Sequence, residues 1–239
     1  MTLGQVGCLL IHGFTGGAYE VNPLARYLRA HTDWIVSVPV LPGHGRTLRL
    51  KNTSANEWLA FAEEALERLY DYCDEVYVIG FSMGGLIAAY LAIHYPVSKL
   101  VLLSAAALYI NTKQILKDMN LMLKDLLQKR LHENKEFGHY KYKLVNTPLR
   151  ATWEFRKIAS TTIPLLSQVK VPTFIAQGEM DGIVPPRAAR YVYDNVGTYQ
   201  KKLYLSKTSK HLICYASDCD DLFYEIAFFL QSTDHPDDG

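Results

Sequence analysis

Val76-Tyr77-Val78-Ile79-Gly80-Phe81-Ser82-Met83-Gly84-Gly85-Leu86-Ile87-Ala88-Ala89-Tyr90-Leu91 decides how this chain folds. An apolar, β-rich run passes through Gly-Phe-Ser-Met-Gly into a helix-like segment. A serine between two glycines, at the junction of a buried strand and a helix, is the setting of a nucleophile elbow. So tight a turn tolerates no bulk beside the serine, which accounts for Gly80 and Gly84, with Gly85 adding room. The Ser82 hydroxyl is left at the strand tip beside a helix N-terminus, whose dipole favours negative charge. The five-letter pattern alone is weak, and its position between strand and helix is what makes it specific. A plain serine N-cap does not need both glycines.

Outward from that point, β-rich runs alternate with longer helical patterns. Strands are predicted at Val6–Ile11, Trp34–Val38, Val76–Ile79, Leu100–Leu103, Thr173–Ala176 and Lys202–Leu205. Helices are predicted at Ala18–Ala30, Ser54–Tyr72, Ser82–Tyr95, Ala188–Asn195 and Asp218–Leu230. The alternation predicts α/β architecture: about six strands in a mostly parallel sheet, helices on both faces. The rhythm breaks once, between Ala105 and Val169. There Gln114–Glu133 reads as an amphipathic helix carrying Ile115, Leu116, Met119, Met122, Leu123, Leu126 and Leu127. A further helical piece lies near Arg150–Ile158, and Pro164 marks the return. Residues 105–167 are therefore expected to form a helical cap inserted into a core domain of residues 1–104 and 168–239. Extra helices packed on the sheet are the alternative.

Bulk properties narrow the function classes. At 239 residues the chain suffices for one large domain, and a formal net charge of +1 argues against a polyanion-binding surface such as one for nucleic acid. No apolar stretch reaches membrane-spanning length, and the N-terminus lacks a basic segment before its first strand. Cys8, Cys73, Cys214 and Cys219 are scattered without zinc-site spacing, so free thiols and a cytoplasmic location are expected. No cofactor or metal is called for.

A serine nucleophile needs a base, an acid to orient it, and donors for the oxyanion. Chain order in the elbow architecture is Ser, then Asp or Glu, then His. After the strand at Thr173–Ala176, Asp181 sits in the turn of Glu179-Met180-Asp181-Gly182, with Glu179 as the alternative acid. Beyond it lie only His211, ahead of the last helix, and His235 in a polar tail, which leaves His211 as the base. The amides of Met83, after the nucleophile, and of Phe14, in the Gly-rich loop after the first strand, are the candidate oxyanion donors. His12 is read as holding that loop, and His44 as shaping the Leu41–Gly45 loop. Tyr109, Met119, Met122, Leu123 and Leu126 are candidate substrate contacts from the cap, with Phe14 and Phe81 at the mouth. Plain helix-core packing is the competing reading of the four cap residues from Met119 to Leu126.

Taken in order, His12–Gly16, Leu41–Gly45, Gly80–Gly84, Asp181 and His211 resemble the α/β-hydrolase superfamily. More narrowly, with Tyr109-Ile110, they are similar to the small bacterial carboxylesterase and monoacylglycerol lipase group. The resemblance runs over essentially the whole chain and implies a serine esterase acting on a small-molecule ester. Two departures stand out. Few residues precede the first strand, so an all-parallel core is expected without leading edge strands. Lys210 stands where relatives carry glycine before the histidine.

Overall fold

The computed structural model describes residues 4–108 and 147–232. The strands are β1 (Val6–Ile11), β2 (Ile35–Ser37), β3 (Glu75–Phe81), β4 (Lys99–Leu103), β5 (Thr173–Gly178) and β6 (Lys201–Ser206). They form one six-stranded sheet in the order β2-β1-β3-β4-β5-β6, and every pairing is parallel. The helices are α1 (Asn22–His31), α2 (Ala55–Tyr70), α3 (Met83–His94), α4 (Leu149–Thr162), α5 (Arg187–Asn195) and α6 (Cys219–Gln231).

Alternation along the strands explains why both faces are covered. On β1, Leu9 and Ile11 face one apolar cluster, whereas Cys8 and Leu10 face the other. On β3, Val76 and Val78 point to the first, and Tyr77, Ile79 and Phe81 to the second. Strands apolar on both sides must be sandwiched, the pattern of a parallel sheet. Residues of α2, α3, α4 and α5 fill the first cluster, and residues of α1 and α6 fill the second. Nine of the twelve residues of α3 are buried, because it lies between the sheet and the helices α2 and α4. At the start of α2, Ser54 and Glu57 form a capping box that fixes where the helix begins.

The predicted strands are all present. β2 covers only Ile35–Ser37 of the predicted Trp34–Val38 at the edge of the sheet, where Trp34, Val36 and Val38 pack on the α1–α6 side. Of the segment 105–167, the structure describes 105–108 and 147–167. Its last part, α4, packs on α3 and α2, with Ala151, Phe155, Ile158 and Ala159 in the same apolar cluster. A 3-10 turn at Ile163–Gln168, with Pro164 in its first positions, then leads to β5. The predicted amphipathic helix Gln114–Glu133 lies outside the described residues. All four cysteines are free thiols, and Cys8, Cys73 and Cys214 are buried. Among the described residues no helix is long and apolar enough to cross a membrane.

Candidate active site

The chain runs from β1 to β2 on one side, then returns to build β3 through β6 on the other. Strand order therefore reverses at the junction of β1 and β3. Outside the carboxyl ends of strands at such a switch point is where a crevice forms in an open α/β sheet. The loop after β1 and the turn after β3 both open there.

Ser82 occupies the turn after β3 with φ 55° and ψ −115°, a backbone state that few non-glycine residues adopt. Its amide donates to the Leu103 carbonyl at 2.9 Å, and its carbonyl accepts from the amides of Gly85 at 3.0 Å and Ala106 at 3.3 Å. The neighbouring glycines are steric requirements. A Cβ on Gly80 would lie 2.1 Å from the Gly84 oxygen, and one on Gly84 would lie 2.3 Å from the Ile11 oxygen.

Three elements converge on this serine. His211 Nε2 lies 3.2 Å from Ser82 Oγ, and His211 Nδ1 lies 2.8 Å from Asp181 Oδ2. An ionised carboxylate only accepts, so the ring proton sits on Nδ1 and Nε2 is left to accept from the serine hydroxyl. The Asp181 side chain is fully buried. Its Oδ1 accepts from the amides of Ile183 at 2.8 Å and Val184 at 2.9 Å. Glu179 is exposed, so Asp181 is the carboxylate brought to the histidine. His235 lies outside the described residues.

The loop carrying His211 is tied down on two sides. Ser209 passes its carbonyl over Gly178, where a Cβ would lie 2.3 Å away, and accepts from the Met180 amide at 3.1 Å. The hydroxyls of Ser206 and Ser209 donate to the two oxygens of Asp218 at 2.5 Å and 3.2 Å. Burial works to raise the Asp218 pKa. Hydrogen bonds from the Ser206, Thr208 and Ser209 hydroxyls and from its own backbone outweigh it, holding the carboxyl below its usual range. Lys210 is exposed.

The loop after β1 lies against the serine, since a Cβ on Gly13 would come within 3.1 Å of Ser82 Cβ. Its first amide, that of Gly13, donates to Glu20 Oε2 at 2.9 Å, and Glu20 is buried. His12 is fully buried, with Nδ1 2.8 Å from the Gly13 carbonyl while Nε2 accepts from the Leu41 amide at 3.0 Å. Those two bonds fix its tautomer and place it as a strut between the loop after β1 and the Leu41–Gly45 loop. The Phe14 ring stacks on Phe155 of α4 at 5.4 Å and meets Trp58 of α2 edge-on at 6.0 Å. His44 packs against Trp58 at 5.2 Å. Met83 opens α3, and the first amides of a helix have no partner within it. Tyr109, Met119, Met122, Leu123 and Leu126 lie outside the described residues.

Sequence reasoning missed Glu20, Gln177, Phe155 and Asp218. Glu20 and Asp218 fall within the predicted helices Ala18–Ala30 and Asp218–Leu230 with no motif to mark them, and Gln177 directly follows the predicted strand Thr173–Ala176. The aromatic contact of Phe155 with Phe14 joins segments far apart in the chain. A buried acid or amide has no signature in composition, although Glu20 does stand close after the Gly-rich loop.

Residues 5–218 match a family described as Hydrolase_4, serine aminopeptidase S33. The chain is 28% identical over 218 residues to a thermostable monoacylglycerol lipase of Bacillus sp. (strain H-257), covering 87% of this chain and 84% of that protein. It is 24% identical over 234 residues to a carboxylesterase of Bacillus subtilis (strain 168), covering 97% and 94%. Among solved structures, one from work on two metagenome-derived lipolytic enzymes, LipS and LipT, superposes with a TM-score of 0.76. It shares 23% identity and covers 96% of this chain and 97% of its own. The architecture is the α/β-hydrolase fold.

Proposed function

The chain belongs to the Hydrolase_4 family, serine aminopeptidase S33, and from that membership we propose that it is a serine carboxylesterase acting on small to medium acyl esters, monoacylglycerols among them. The observation that carries the reading is the continuous run of contacts from Ser82 Oγ through His211 to the buried Asp181. The names of the similar proteins, a monoacylglycerol lipase and a carboxylesterase, point to the same bond.

In this mechanism His211 Nε2 takes the Ser82 proton as Oγ attacks the ester carbonyl. Asp181 holds the imidazole in the required tautomer and stabilises its cation. The carbonyl oxygen, now an anion, is received by the amides of Phe14 and Met83, whose positions are set before the substrate arrives. One such donor is typically worth about 3 kcal/mol of transition-state stabilisation. The alcohol leaves with the proton from His211, water attacks the acyl-enzyme, and the acid is released. Selection of the acyl chain is assigned in this proposal to Tyr109, Met119, Met122, Leu123 and Leu126 of the segment 105–167, which lie outside the described residues. In this proposal the enzyme works in the cytoplasm on a small-molecule ester.

Hydrolysis of p-nitrophenyl esters across a range of chain lengths tests this, with wild type beside Ser82→Ala. Wild type should turn over with an optimum that sizes the pocket, and the variant should be inactive while keeping its melting temperature. Equal hydrolysis by both proteins would remove Ser82 from the mechanism. Inactivity of both on every ester would shift the assignment to a thioester or carbon–carbon substrate.

A further inference from the structure

We propose that Gln177 is a positioning residue for this reaction, fixing the Asp181 carboxylate in the orientation that His211 requires. Gln177 sits near the end of β5, fully buried. Its Nε2 donates to Asp181 Oδ2 at 2.8 Å and to the Val184 carbonyl at 3.0 Å. Both neighbours are pure acceptors, so the amide is oriented with its NH2 group towards them. Oδ2 is also the oxygen that receives the His211 Nδ1 proton.

Counting donors shows what the glutamine adds. Oδ1 takes two backbone amides, and Oδ2 takes one imidazole and one amide side chain. Four donors match the lone-pair directions of a carboxylate, so no low-energy rotation about Cβ–Cγ exchanges the two oxygens. Without Gln177, Oδ2 would hold only the histidine, and the group could swing with the ring. The second bond, to the Val184 carbonyl, ties the far end of the same loop back to β5. The glutamine thus holds the carboxylate and its loop together, and it acts on chemistry only through Asp181. A buried amide whose sole task was packing would be better replaced by an apolar side chain of its size, since its polar atoms lose water on burial.

The proposal rests on the esterase reading, and the experiment separates the two. Gln177→Met keeps length and volume while removing both donors. Its kcat on the best p-nitrophenyl ester should fall roughly 10- to 100-fold, the scale expected of a misplaced catalytic group, with KM unchanged. In an Asp181→Ala background the same substitution should cost nothing further, because its route to the reaction is gone. An equal loss in both backgrounds, or full kcat in folded Gln177→Met, would overturn the proposal. If the methionine variant does not fold, Gln177→Asn, which keeps an amide but falls a methylene short of Asp181, replaces it with the same expected outcomes. The far-downfield proton resonance of the His211–Asp181 hydrogen bond gives a readout that needs no substrate. It should move or broaden in the variant, and an unchanged resonance would overturn the proposal even if wild type proved inactive on esters.

Discussion

Ser82 holds φ 55° in a turn where neither Gly80 nor Gly84 has room for a Cβ. Such backbone states cost about 1–3 kcal/mol and persist where the surroundings over-determine them. Here the surroundings are the carbonyls of Ile11 and His12, which lie 2.3 Å and 2.5 Å from where a Cβ on Gly84 would stand. Those atoms are the end of β1 and cannot yield without moving the loop that carries Phe14. Gly84→Ala should therefore lower kcat by 100-fold or more (~3 kcal/mol) and also lower the melting temperature. An active, equally stable alanine variant would show that the turn has slack. The elbow was legible in the sequence from its strand–turn–helix setting, and Asp181 and His211 from the serine, acid, histidine order of that architecture; the structure brings the three side chains within hydrogen-bond reach. Glu20 and Gln177 were not legible, because what distinguishes them is burial against a particular partner, and a string of letters carries no burial.

At the scale of elements, α4 shows how a helix is locked to its neighbour. Glu154 Oε2 accepts from the Ala55 amide at 3.1 Å, at the first residue of α2, and Lys157 Nζ lies 3.0 Å from Oε1. Burial works against its charge, but the Ala55 amide, the Lys157 bond and the charges of Lys157 and Arg150 outweigh it. They hold the Glu154 pKa below its usual value. A depressed folded pKa contributes stability that is fully present above the unfolded value, near 4. That stability is lost as pH falls through the lower folded value. Glu154→Ala should thus cost about 1–3 kcal/mol at pH 7, because it strips a buried amide of its acceptor. The difference from wild type should shrink as the melting series is carried into acid, and a gap that stays constant with pH would remove the carboxylate from the account. The helix itself was expected as a helical piece near Arg150–Ile158 and spans Leu149–Thr162. Its attachment to α2 was not, since the chain between β4 and β5 reads as one helical excursion and periodicity does not say against what a helix packs.

At the scale of the molecule, the number of strands and their shared direction followed from the alternation of short and long apolar periods. Strand order did not, because the period is the same whether β3 lies beside β1 or beside β2. The order found has a kinetic consequence. Every pairing of the six-stranded sheet joins strands separated by a helix or more, as when Val6 meets Glu75 or Leu100 meets Thr173, and among the described residues there is no hairpin to start from. Chains dominated by such distant contacts fold slowly, because loop closure must precede any gain. Diluted from urea, the protein should recover helical ellipticity well before it recovers ester hydrolysis. The proposed reacting groups hang from the ends of β3, β5 and β6, so the site is complete only after β4 pairs with β5 across the segment 105–167. A newly made chain would spend that interval with two apolar sheet faces uncovered, open to capture by its own kind.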